Sequence, residues 1–200
     1  MARWPAEPPY ITQAISRLLQ GAVIAFPTDT LYAIGARARD PSAVRRLYAI
    51  KRRPADQPVV LLVADAAQVP EWAIISPQAE AIMTRYWPGP LTLVLKRRPG
   101  APIVGAGGAT LAFRAPAHPV ALELLRGLSE PIASSSANHA GAPPPADAAA
   151  VQLALDQEVD LILDAGATSH GQPSTILDLS KAKPRILRQG VIPEADLLPS

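Results

Sequence analysis

The spacing of apolar positions changes period several times along this 200-residue chain. Ile11, Ile15, Leu18 and Leu19 recur at helical spacing, and Gly21 closes that segment. Residues 22–26 are apolar without a break and stop at Pro27, which predicts a buried strand. Thr28, Asp29, Thr30 and Tyr32 follow. In open α/β sheets, ligands collect beyond the carboxyl ends of the strands, so the segment reads as a strand exit delivering polar groups to a pocket. On this segment alone the plainer reading is an ordinary turn in which Thr and Asp bond locally, with Asp29 as a turn-capping carboxylate.

Val44, Leu47, Tyr48 and Ile50 predict a helix from Pro41-Ser42 into the basic loop Lys51-Arg52-Arg53-Pro54. Strands are expected at 59–63, 91–95, 111–113, 131–133, 161–163, 175–179 and 186–187, with helices at 77–86, 116–125 and 146–155. Strands and helices alternate through most of the chain. That pattern predicts an α/β fold: a twisted, mixed, partly parallel sheet with flanking helices. The length suits one domain over residues 1–200, and the 23 prolines are scattered through loops and element ends.

Net charge is only +2, but Arg45, Arg46, Lys51, Arg52 and Arg53 lie close together and Lys96-Arg97-Arg98 form a second group. Such clusters suit nucleotide or RNA phosphates, or serve as solvated helix ends. The absence of cysteine removes disulfides, thiolate nucleophiles and Cys-based zinc sites. The start lacks the apolar core of a signal peptide, and the longest strongly apolar run, 59–64, is too short to span a bilayer. A soluble cytoplasmic protein is the expectation.

Familiar catalytic motifs are missing: there is no phosphate-binding Gly-x-x-x-x-Gly-Lys loop, no His-Glu-x-x-His and no Gly-x-Ser-x-Gly. Gly105-Ala106-Gly107-Gly108 precedes a predicted strand, whereas a dinucleotide loop must open a helix. His118, His139 and His170 lack metal-ligand spacing and read as surface or loop histidines. What remains is a set of polar loops. Lys51-x-Arg53 offers two cations in a tight turn, suited to phosphate charge. Ser136-x-Asn138 offers a hydroxyl and an amide after a buried strand.

These loops, in order, carry a resemblance. Phe26-Pro27-Thr28-Asp29-Thr30-Leu31-Tyr32, Lys51-Arg52-Arg53-Pro54, Trp87-Pro88-Gly89-Pro90-Leu91-Thr92, Phe113-Arg114-Ala115-Pro116, Ser134-Ser135-Ser136-Ala137-Asn138, Pro173-Ser174-Thr175-Ile176 and Leu187-Arg188-Gln189-Gly190 resemble the YrdC-like family of L-threonylcarbamoyladenylate synthases. The match runs from about residue 11 to about residue 191 and is similar to the short, single-domain members. The resemblance implies a twisted α/β sheet with a concave basic face. It implies formation of threonylcarbamoyl-AMP and pyrophosphate from L-threonine, bicarbonate or CO2, and ATP. The product serves threonylcarbamoyladenosine synthesis beside the tRNA anticodon, through a separate transferase complex.

By the same resemblance, Lys51, Arg53, Ser136 and Asn138 match the family's catalytic tetrad. Thr30, Arg114 and Ser174 match residues that hold threonine, with Tyr32 and Ser134 close by. Lys51, Arg53, Gln57, Thr110, Ser136, Asn138, Pro144 and Arg188 match the ATP site, with Mg2+ held mainly by the phosphates and no protein metal site. Ala33, Leu62 and Gln189 depart from the common pattern. A paralogous nucleotide- or RNA-binding protein of different activity is the alternative.

Overall fold

The computed structural model describes residues 1–54, 57–105, 107–155 and 157–198; Ala106 of the glycine-rich loop lies outside them. Ten strands form one sheet, ordered β1 (Ala2–Pro5), β8 (Leu161–Asp164), β2 (Ile24–Pro27), β3 (Tyr32–Arg37), β7 (Ile132–Ser136), β4 (Val60–Leu62), β6 (Thr110–Arg114), β5 (Leu91–Lys96), β9 (Thr175–Asp178) and β10 (Arg185–Arg188). β1/β8, β2/β8, β4/β6 and β5/β9 are parallel, and the other neighbours are antiparallel. The mixed, partly parallel sheet predicted from the sequence is therefore the observed one.

Alternation along β2 explains why both faces are covered. Ile24 and Phe26 point into a core built with Ile11, Ala14 and Leu18 of α1 (Pro8–Leu19) and Leu124 and Leu125 of α4 (Pro119–Leu128). Ala25 enters the opposite core, where Leu47 of α2 (Pro41–Lys51), Met83 of α3 (Pro77–Tyr86) and Val151 of α5 (Ala148–Leu155) pack with Trp72, Leu93 and Phe113. Full burial of each Leu, Ile, Val, Phe or Met among them contributes roughly 1.5–3 kcal/mol. Gly127 is fixed by the α1/α4 contact, since a Cβ there would stand 2.4 Å from Ile15 Cδ1.

Helix starts follow their prolines. Pro8, Pro41, Pro77 and Pro119 each occupy the first turn, where the missing N–H costs nothing. Asp40 and Ser76 cap α2 and α3 through Ser42, Ala43 and Ala79 N–H groups. α4 begins at Pro119 rather than at the expected 116, because Pro119 keeps His118 out of helical conformation. β7 runs on to Ser136 because the serines pair with β3, with Ser134 opposite Gly35 and Ser136 opposite Ala33. β1, β3 and the short helix α6 (Glu194–Leu197) were not expected from the pattern.

One connection shapes the working face. It leaves β8 at Asp164 and enters β9 at Thr175, seven strand positions away. Seven strand spacings amount to about 34 Å, and eleven residue steps reach at most about 36–40 Å. This connection is a strap with little length to spare for that span. Thr168 Oγ1 donates to Thr30 O at 3.0 Å, His170 N to Asp29 O at 3.0 Å and Thr168 N to Ala146 O at 2.8 Å, pinning it over the β2–β3 turn.

Candidate active site

A cavity of about 450 Å³ opens where this strap ends, at Pro173 and Ser174. Its wall takes in Thr30, Tyr32, Lys51, Arg53, Gln57, Arg114, Ser134, Ser136, Asn138, Pro144, Ser174 and Arg188, all singled out from the sequence. Thr110 is not among the lining residues. It opens β6, exposed and opposite Lys96, while the cavity residue of that strand is Arg114 at its other end, about 13 Å along. Among the described residues, four cations and no carboxylate border the cavity, which makes that lining basic.

At the buried end, Arg114 is 6 % exposed. Its Nε donates to Gly89 O at 3.0 Å, Nη1 to Thr30 Oγ1 at 2.7 Å and Nη2 to Asp29 Oδ1. Asp29 also accepts from Ala117 N at 3.0 Å. It is thus the counter-ion of Arg114 and not the cap of its own turn; that task falls to Thr28, whose Oγ1 accepts from the N–H groups of Thr30 and Leu31. Burial pushes the Arg114 pKa down and Asp29 pushes it back up. Three of its five N–H groups are spent, leaving one on each terminal nitrogen for a ligand. His118, at the N-cap of α4, has its Nδ1 buried; burial lowers its pKa and the Asp29 charge opposes that.

Ser174 marks the facing wall. Its Oγ lies 2.8 Å from Thr92 Oγ1 and accepts from Arg188 Nη2 at 3.1 Å, while Arg188 Nε and Nη2 also donate to Ser174 O. Burial lowers the Arg188 pKa. The strap must pass close here: a Cβ on Gly190 would stand 2.2 Å from Pro173 O. Tyr32 and Ser134 line the cavity with their hydroxyls already committed. Tyr32 Oη donates to Gly166 O at 2.9 Å and accepts from Ala165 N at 3.1 Å, and Ser134 Oγ donates to Val60 O at 3.1 Å. Burial raises the Tyr32 pKa.

At the opposite end, Lys51 is 3 % exposed, and Nζ donates to Ser136 O at 2.7 Å, Asn138 Oδ1 at 3.0 Å and Asn138 O. Burial, then the charge of Arg53, lowers its pKa to about 8. Ser136 Oγ donates to Asn138 Oδ1, and Asn138 Nδ2 donates to His139 O and Ala142 O. Arg53 holds Gln57 Oε1 through Nε, and Pro144 completes this end of the wall. Among the described residues, no group of three His, Cys, Asp or Glu could hold a metal ion.

The chain matches the Sua5/YciO/YrdC family, described as telomere recombination, over residues 16–190. The chain belongs to the Sua5/YciO/YrdC family. It is 42% identical over 187 residues to the threonylcarbamoyl-AMP synthase of Bacillus subtilis, covering 92% of this chain and 54% of that one. The structure of P. abyssi Sua5 complexed with L-threonine superposes with a TM-score of 0.91 at 39% identity, covering 98% of this chain and 58% of that one. E. coli YciO superposes with a TM-score of 0.88 at 28% identity, covering 99% and 100%. The chain spans about half the length of the B. subtilis and Pyrococcus abyssi synthases it matches.

Within the Sua5/YciO/YrdC frame, sequence reasoning missed two contributors and gave a third another role. Gly89 supplies the third acceptor of Arg114 and Thr92 supports Ser174, while Asp29, read as a turn cap, pairs with Arg114. Thr92 had a readable signal, a lone hydroxyl in the apolar strand Leu91–Lys96. Gly89 had none, because a carbonyl belongs to every residue. Among the described residues, no helix is long and apolar enough to cross a membrane.

Proposed function

We propose that the cavity joins L-threonine, bicarbonate or CO2, and ATP into threonylcarbamoyl-AMP, releasing pyrophosphate. The observation that carries this reading is a continuous basic cavity with two unlike ends. The buried Arg114 end presents two unspent N–H groups beside the Thr30 and Ser174 hydroxyls, a setting for an amino-acid carboxylate. The other end presents Arg53 for phosphates, and Arg188, bonded to Ser174, adds a further cation to the wall. Kinship with synthases from B. subtilis and P. abyssi, and the threonine bound to P. abyssi Sua5, support it.

The threonine amine attacks the carbon of CO2, or of bicarbonate with loss of water, to give a carbamate. A carbamate oxygen then attacks the α-phosphorus, and the bond to the bridging oxygen breaks to release pyrophosphate. No protein nucleophile is required. Arg114 orients the carboxylate, and Thr30 and Ser174 hold polar groups of threonine. Arg53 and Arg188 offset charge on the phosphates. Holding the reactants together can remove roughly 7–11 kcal/mol from the barrier. The described lining, which holds no carboxylate, fits Mg2+ carried on the nucleotide, where it would offset phosphate charge. The product would pass to a transferase that modifies tRNA.

The test is pyrophosphate release from ATP, Mg2+, bicarbonate and threonine, with each omitted in turn. Release that needs all of the substrates is expected. ATP cleavage indifferent to threonine would instead favour a paralogous activity.

A further inference from the structure

Resting on the reading of this cavity as a nucleotide site, we propose that Lys51 is a positioning residue: it builds the 136–142 turn and leaves the phosphates to Arg53 and Arg188. An ammonium has three N–H groups. Those of Lys51 meet Ser136 O, Asn138 O and Asn138 Oδ1, and Ala140 N returns a bond to Lys51 O at 3.0 Å. Both amide N–H groups of Asn138 are spent on His139 O and Ala142 O, and the Ser136 proton is spent on Asn138 Oδ1. Lys51, Ser136 and Asn138 therefore satisfy one another and hold no donor in reserve.

What the knot produces is a shaped turn. It sets Ala140 and Gly141 on the cavity wall, with Gly141 at φ 84° and nothing within 4 Å of where its Cβ would stand. Just past Lys51, Arg52 takes the left-handed conformation and the chain reverses, bringing Arg53 to the cavity. Among the described residues Arg53 spends only Nε, on Gln57, which leaves its four terminal N–H groups for a ligand. Removing the Lys51 ammonium strands buried carbonyls, whereas removing the Arg53 guanidinium frees one side-chain amide.

Lys51→Met and Arg53→Gln in the full chain separate the roles. Hydrogen exchange of 136–142 is measured without ligand, and Mg-ATP and threonine binding by calorimetry across a salt series. Lys51→Met is expected to speed exchange in the turn about tenfold. It should weaken Mg-ATP about tenfold with threonine affinity and salt dependence unchanged. Arg53→Gln should leave exchange alone and flatten the salt dependence. Unchanged exchange with flattened salt dependence in Lys51→Met would overturn the proposal, because Lys51 would then touch phosphate. Joint loss of both affinities with a lowered urea midpoint would also overturn it, making Lys51 merely structural. Should Lys51→Met not fold, Ser136→Ala must loosen the same turn by a smaller factor; unchanged exchange there counts against the proposal. A wild type that binds no ATP sinks the nucleotide reading, while the exchange arm, free of ligand, still decides what Lys51 does.

Discussion

The two ends of the cavity use the same residue type in opposite ways. Arg114 is buried, paired with Asp29 and bonded through all three nitrogens, whereas Arg53 is partly exposed and, among the described residues, its side chain is tied only to Gln57. A buried ion pair is costly to assemble and severe to break, but it fixes geometry. A partly exposed guanidinium supplies charge at little structural cost. The difference matches the ligands proposed: a small carboxylate that must be oriented at one end, and a flexible chain of phosphates at the other.

The sharpest way to break this contrast is Arg114→Ala. It leaves Asp29 buried without its counter-ion, so stability should fall by about 3–5 kcal/mol and threonine-dependent pyrophosphate release should disappear. Urea denaturation reads the first effect, and a wild-type midpoint would mean that the ion pair does not organise this end. Arg53→Ala should leave stability within about 0.5 kcal/mol of wild type. Turnover should nevertheless drop at least about tenfold, the loss of one charge-assisted contact. Thr110→Ala, outside the cavity, is expected to change neither stability nor turnover; a raised KM for ATP would extend the open end beyond the wall described above.

Legibility in the sequence followed the same divide. α2 and α3 could be read because apolar period, capping residue and proline agreed at each start. β3 could not: its residues Tyr32–Arg37 are small or mixed, and its place mid-sheet comes from partners at β2 and β7. Likewise, the side chains of the site were legible through motif resemblance, but their partners were not. Asp29 and Arg114 are 85 residues apart, and no local pattern encodes that contact. Lys51 looked like a phosphate cation because its acceptors, near Ser136 and Asn138, lie in a distant segment.

The strap has a mechanical consequence. Thr168 is moored to Thr30 on one jaw of the site, and Ser174 sits on the other. Six residue steps between them can extend no further than about 20–22 Å. Whatever the strands do as ligands enter and leave, the gape of the site has a ceiling set by chain length alone.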